Sequence, residues 1–177
     1  MRPYCAYVST IKDTEDVDKV YHDNHYGVRI EDDNELFGRL VMEINQAGLS
    51  WRTILMKEKG FRKAYHNFDI KKVAGYKEKD VERLLGDTSI IRNRLKINAA
   101  IYNAQAITKL QKEYGSLRTW LDLNAKEIKQ NRAEWLKLFK NHFKFVGGEI
   151  VGEFLMSINL LLGSHDKKCR RHKNVIG

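Results

Sequence analysis

The stretch Met42-Glu43-Ile44-Asn45-Gln46-Ala47-Gly48-Leu49-Ser50-Trp51 carries a lone carboxylate along an apolar run into a glycine turn and a tryptophan. Upstream of it, Leu36, Phe37, Leu40, Val41 and Ile44 recur at helical spacing, which puts Glu43 beside the face that packs inward. Downstream, Ser50 is placed to cap a new helix at Trp51, so Gly48-Leu49 reads as a tight corner between two helices. The same spacing fits a half-exposed helix glutamate followed by a core tryptophan, and most carboxylates on amphipathic helices carry no chemistry.

Outward from this corner the chain reads as helices joined by short turns. It has a single proline, Pro3, and no sustained period-two alternation, so the expected class is all-α. The first segment, Cys5 to Gly27, crowds Tyr21, His22, His25 and Tyr26 just ahead of a glycine. Asp33 or Asn34 is expected to cap the helix of Glu43. An apolar stripe runs from Phe61 to Phe68. Asp69 is expected to cap a short helix ended by Gly75, and another covers Lys79 to Leu85. Ile97, Ala100, Ile101, Ala104, Ile107 and Leu110 form one stripe of a long central helix. From Ser116 to Gln130 the pattern weakens to one or two turns, and Asn131 is expected to cap the helix of Trp135 and Phe139. His142-Phe143-Lys144-Phe145-Val146-Gly147-Gly148 then links it to an apolar helix through Leu161. Helix, glycine turn and helix is a shape that offers backbone N–H groups to a phosphate, and equally a plain connection between antiparallel helices.

With 177 residues, 42% of them apolar, the chain is expected to form one domain over residues 1–177 around one core. Its formal charge of +9, from 32 Lys and Arg against 23 Asp and Glu, points to a polyanionic partner or to a lysine-rich surface. Arg92, Arg94 and Lys96 stand at the start of the long helix, where free amides already attract anions; a solvated helix entry reads the same way. No apolar run reaches the roughly 18 residues of a membrane span, and the N-terminus lacks the apolar core of a signal peptide, so a cytoplasmic location is expected. There Cys5 and Cys169 are better explained as thiolate ligands or buried thiols than as a disulfide. His165 and Cys169, four apart, share one side of a helical turn. With Cys5 and His22 they make a Cys2His2 set able to bind zinc.

Taken together, several blocks resemble the 3-methyladenine DNA glycosylase I family: Tyr21-His22-Asp23-Asn24 with Tyr26-Gly27, Glu43 with Gln46-Ala47-Gly48-Leu49-Ser50-Trp51, Ile90-Ile91-Arg92-Asn93-Arg94, Phe143-Lys144-Phe145-Val146-Gly147, and His165 with Cys169. The resemblance implies a helix-hairpin-helix glycosylase fold of two helical lobes with a flipped-out base between them. It implies that Glu43 and Tyr21 hydrogen-bond that base, that Trp51 stacks on it, and that Tyr26 belongs to the same pocket. Gln46, Gly48 and Leu49 would sit at the gap the base leaves. Phe143 to Gly148, with Lys144 and Gly147, would be the phosphate-binding hairpin, joined in DNA contact by Arg92, Arg94 and Lys96. Cys5, His22, His165 and Cys169 would hold a structural zinc.

The implied activity is hydrolytic release of 3-methyladenine from double-stranded alkylated DNA by a monomeric, monofunctional enzyme. Methylation at N3 leaves adenine cationic, so a carboxylate and an indole face both favour it over the intact base. Two alternatives stay open, a DNA-binding protein without activity and a glycosylase for another modified base. The sequence also departs from the family. Residues 117–141 are shorter than usual, with Asp122 near the place of a tryptophan, which suggests an altered pocket wall. Gly148-Glu149 replaces a threonine-containing helix start. Glu153-Phe154-Leu155-Met156-Ser157 stands for a Ser-Phe-Met-Gln-Ala run, Gly163-Ser164-His165 for Asn-Asp-His, and Tyr26 for a tryptophan.

Overall fold

In the computed structural model, which describes residues 3–172, Glu43 rides on a helix (α3, Asp33–Gln46) that touches most of its neighbours. Before it come α1 (Pro3–Thr10) and α2 (Val17–Asn24). After it follow α4 (Trp51–Met56), α5 (Glu58–Ala64), a 3-10 turn at His66–Phe68, α6 (Ile70–Ala74), α7 (Glu78–Gly86), α8 (Arg94–Tyr114), α9 (Leu117–Ile128), α10 (Arg132–His142) and α11 (Gly148–Ser157). The described residues contain no strand. None of their helices is long and apolar enough to cross a membrane.

The N-cap of α3 is Asp32, one residue earlier than expected, whose side chain accepts from the Glu35 amide. Asp33 and Asn34, read as caps of α3, cap other helices instead. Asp33 accepts the amides of Leu117 at 2.8 Å and Arg118 at 3.0 Å, the free donors of the first turn of α9. Asn34 accepts the Ile70 amide at the start of α6 at 3.1 Å. The first turn of α3 thereby fixes the entry angle of two helices that pack on it. Ser50, Asp69 and Asn131 cap α4, α6 and α10 as expected.

The weak stretch after Ser116 forms a full twelve-residue helix, α9, because Leu117, Trp120 and Leu121 all turn into the core. Phe61, Ala64, Tyr65 and Phe68 are all buried as the expected stripe requires, but the helix that carries them ends at Ala64. His66, Asn67 and Phe68 take left-handed φ values of 51°, 54° and 59°, and Phe68 swings under α3. Gly38 permits this approach, since a Cβ there would lie 2.4 Å from the Phe68 ring. The first segment, Cys5 to Gly27, holds two helices, with Asp16 capping the second. Leu36, Phe37, Leu40, Ile44, Ile97, Trp120, Trp135, Phe139 and Leu155 belong to one continuous core running beneath α3 and α8.

Candidate active site

Asp18 is 1% exposed and gathers three elements. Its carboxylate accepts from Arg52 at 2.7 Å, which draws the start of α4 against α2, and from the Tyr4 hydroxyl of α1 at 3.3 Å. Arg52 also meets Asp16 at 2.9 Å. Tyr4, Tyr21 and Trp51 are thus brought to one place from three helices. The Tyr21 and Trp51 rings lie 5.1 Å apart between centroids, and Tyr4 meets Tyr26 edge-on at 5.9 Å.

These rings line a cavity of about 310 Å³ together with Glu43, Gln46, Glu153 and Ser164. That volume lies at the small end of ligand sites, with room for one base. Glu43 is 4% exposed, and no described group hydrogen-bonds or ion-pairs with its carboxylate. Burial raises its pKa to about 8, with Arg39 pulling down and Glu153 adding to the rise. Burial therefore favours the protonated form of this carboxyl at neutral pH. Two further buried polar atoms on lining residues, Trp51 Nε1 and Ser164 Oγ, also have no partner. Buried polar atoms without partners are rare in folded proteins, and two on one cavity, beside a carboxyl with no described partner, mark a place where a polar ligand completes the bonding.

The structure brings Tyr21, Tyr26, Glu43, Gln46 and Trp51 to this cavity. Gly48 and Leu49 form the exposed corner beside it, Gly48 with φ +83° and open space around its Cα. Tyr21 is fixed by Arg39, which donates to its hydroxyl at 2.8 Å and lies 4.9 Å over its ring. Arg39 was missed in the sequence; its position one helical turn before Glu43 was the available signal. Tyr4, Glu153 and Ser164 were missed as well. Glu153 interrupts the apolar α11 run, and its hydroxyl donor, Tyr26 at 2.9 Å, is 127 residues away in sequence.

The expected altered wall is elsewhere. Asp122 does not line the cavity; it pairs with Arg118 and, at 2.7 Å, with Arg29, which fastens α9 to the segment before α3.

Lys96 is corrected from a surface cation to an internal tie. It is 6% exposed, and its ammonium donates to the carbonyls of Asn45 at 2.9 Å and Ala47 at 2.8 Å, occupying the free carbonyls at the end of α3. It also lies 5.9 Å from the Phe145 ring, so it joins the Gln46–Ser50 corner to the turn between α10 and α11. Arg94 is exposed, but its guanidinium is engaged by Glu78 at 2.6 Å and by Glu82. Arg92 is exposed with no described partner. The α10–α11 turn is clamped by buried Asn103, which accepts from the Lys144 amide at 2.8 Å and donates to its carbonyl at 3.1 Å. Gly147 is the N-cap of α11 and provides no side-chain cap, while Lys144, Gly147 and Gly148 are exposed.

At the chain ends, Cys5, His22, His165 and Cys169 place their ligand atoms within 4.8 Å of one another. Cys169 Sγ lies 3.6 Å from both His22 Nε2 and His165 Nδ1. Two thiols and two imidazoles at such spacing can hold a metal ion. The other imidazole nitrogens are occupied, by Asp23 at 2.9 Å and by the Tyr26 carbonyl at 2.9 Å, which orients both rings.

The profile of the methyladenine glycosylase family matches residues 11–138. DNA-3-methyladenine glycosylase 1 of Escherichia coli is 48% identical over 91 residues, covering 51% of this chain and 49% of that protein. DNA-3-methyladenine glycosylase of Haemophilus influenzae is 32% identical over 80% of this chain and 85% of its own. The solved structure of 3-methyladenine DNA glycosylase I from Staphylococcus aureus, described as showing the basis of 3-methyladenine recognition, superposes with a TM-score of 0.81. It is 31% identical and covers 94% of this chain and 95% of its own. On the extent of these matches, the chain belongs to the methyladenine glycosylase family.

Proposed function

We propose that the protein is a monofunctional DNA glycosylase that extrudes 3-methyladenine from double-stranded alkylated DNA and releases it by hydrolysis. The observation that carries this reading is the buried Glu43 carboxyl, without a protein partner, in an aromatic cavity of base size. A cationic purine gives that carboxyl what the fold withholds. Its charge favours the ionised form of Glu43, and the rings of Tyr21 and Trp51 offer faces for stacking and cation–π contact. Methylation has already weakened the glycosidic bond, so selecting and holding the base is the larger share of the task, and water attacks the sugar. Among the described residues that line the cavity there is no lysine to form a Schiff base with the sugar, which supports hydrolysis without strand cleavage.

Extrusion costs a few kcal/mol of stacking and pairing. The exposed corner of Gln46, Gly48 and Leu49 is the segment that would fill the gap. Lys96 and Phe145 link that corner to the α10–α11 turn, where Lys144 and the free amides after Gly147 would take a phosphate, with Arg92 adding charge. Glu149, in the first turn of α11, suits the helix dipole and competes with a phosphate for the same amides. The protein would act as a cytoplasmic monomer. The four ligands near the termini fit a structural Zn²⁺. Cys169 Sγ stands 3.6 Å from both His22 Nε2 and His165 Nδ1, a spacing that two ligands of one ion would tolerate. Bound there, zinc would clip α1 and α2 to the tail, behind Tyr21 and Tyr26.

The test is release of 3-methyladenine from methylated DNA, scored against a no-enzyme control, for the wild type and Glu43→Gln. The wild type should release the base without nicking the strand, and the variant should lose at least about a hundredfold in rate. Wild-type protein that binds the DNA but frees no base would overturn the assignment.

A further inference from the structure

The cavity lining holds a second acidic residue that the sequence resemblance did not supply. Glu153 of α11 lines the cavity together with Glu43 of α3, and one of its oxygens accepts from the Tyr26 hydroxyl at 2.9 Å. Its other oxygen has no described partner. Glu153 and Tyr26 are both places where the sequence departs from the pattern it resembles, and the hydroxyl–carboxylate pair brings these two departures together in space. Among the described lining residues there are thus two carboxyl groups and no lysine or arginine. Glu43 and Ser164 Oγ, both buried and unpaired, lie on the same cavity.

We infer that Glu153 is a second specificity-determining carboxylate of the base pocket, held by Tyr26 so that its charge and its open oxygen select purines with a formal positive charge over neutral ones. This rests on the reading of the cavity as a base pocket. A neutral purine entering the cavity strips water from Glu153 and returns no charge, which is unfavourable. A cationic purine strips the same water but brings the missing charge to Glu153, in a lining that also holds Glu43. An exocyclic amino group adds N–H donors for the open oxygen. The Tyr26 hydrogen bond matters because a freely rotating glutamate could turn toward solvent and lose the effect. The residue acts on which base stays in the pocket, and bond cleavage itself does not pass through it.

The experiment compares 3,9-dimethyladeninium, which is permanently cationic, with neutral 9-methyladenine, by quenching of tryptophan fluorescence in the intact protein. The variants are Glu153→Gln, which keeps an acceptor for Tyr26 without the charge, and Glu153→Ser, which removes both. Each should weaken cation binding about tenfold, as for one partly exposed charge near contact, and change 9-methyladenine binding less than about twofold. The ratio of the two affinities is the readout that a structural role would not move. An unchanged ratio, or parallel weakening of both ligands, overturns the inference. If the wild type still releases 3-methyladenine in that case, only the role of Glu153 falls. If the wild type binds neither ligand and releases no base, the pocket assignment falls and takes this inference with it.

Discussion

Glu43→Gln should stabilise the empty protein at the pH where it abolishes activity. In the unfolded chain the Glu43 carboxyl titrates near 4.5, and in the fold near 8, because burial penalises its charge. Between these values the unfolded chain has lost the proton that the folded chain keeps, so rising pH favours unfolding. Stability relative to a neutral side chain is fully present below about pH 4.5 and is lost progressively up to about pH 8. At about 1.36 kcal/mol per unit, the displacement sets a ceiling of about 5 kcal/mol. Water entering the cavity relaxes part of that, so about 2–3 kcal/mol is the working expectation.

Glutamine has no proton to lose and nearly the same shape. For a chain of this length each kcal/mol moves Tm by about 2–4 °C. The two proteins should therefore melt within about 1 °C of each other at pH 4.5 and separate by about 5–10 °C at pH 8.5, with the variant higher. Thermal unfolding followed by circular dichroism at both pH values measures the gap. His25 and His165 titrate in both proteins alike, so the difference isolates position 43. A gap that stays constant with pH, or a variant that melts lower at pH 8.5, would refute the account of a strained, unpaired carboxyl.

Elemental analysis of protein kept away from chelators should find about one zinc per chain, and Cys169→Ala should lower both zinc content and Tm. Fewer than about half an equivalent in the wild type would leave Cys5 and Cys169 as plain thiols. Asp33→Ala strips the caps from Leu117 and Arg118 and should cost about 2 kcal/mol in urea unfolding, though Asp33 lies outside the cavity. A loss within about 0.5 kcal/mol would show that water replaces the carboxylate freely.

The helical class and most helix boundaries were legible because they are written in local terms, apolar spacing and a capping residue next to each start. Ser50, Asp69 and Asn131 act on amides two or three residues away. Where the sequence misled, the partner was remote. Asp33 sits at a helix start, as a cap should, but the amides it serves are more than eighty residues later. Lys96 looks like a solvated cation beside Arg92 and Arg94. Only the fold shows the carbonyls of Asn45 and Ala47 waiting for its ammonium. Glu43, Tyr21 and Trp51 were legible through the resemblance of their blocks. Glu153 was visible only as a departure, since nothing near it in sequence says that Tyr26 lies within hydrogen-bonding distance.

The same carboxyl that weakens the fold can sharpen recognition. In the empty cavity Glu43 holds its proton at neutral pH, so an intact, neutral adenine meets a neutral wall and gains little beyond stacking. A cationic purine changes the state of the wall. On the proposed reading, its charge would draw Glu43 below the value set by burial, the proton would pass to solvent, and an ion pair would form. Discrimination would then come from a difference in protonation as well as from shape. A rigid, already ionised carboxylate, neutralised by a protein cation, would lack this response. Arg39 pairs with the Tyr21 hydroxyl and forms no ion pair with Glu43, which is the arrangement that keeps the carboxyl available.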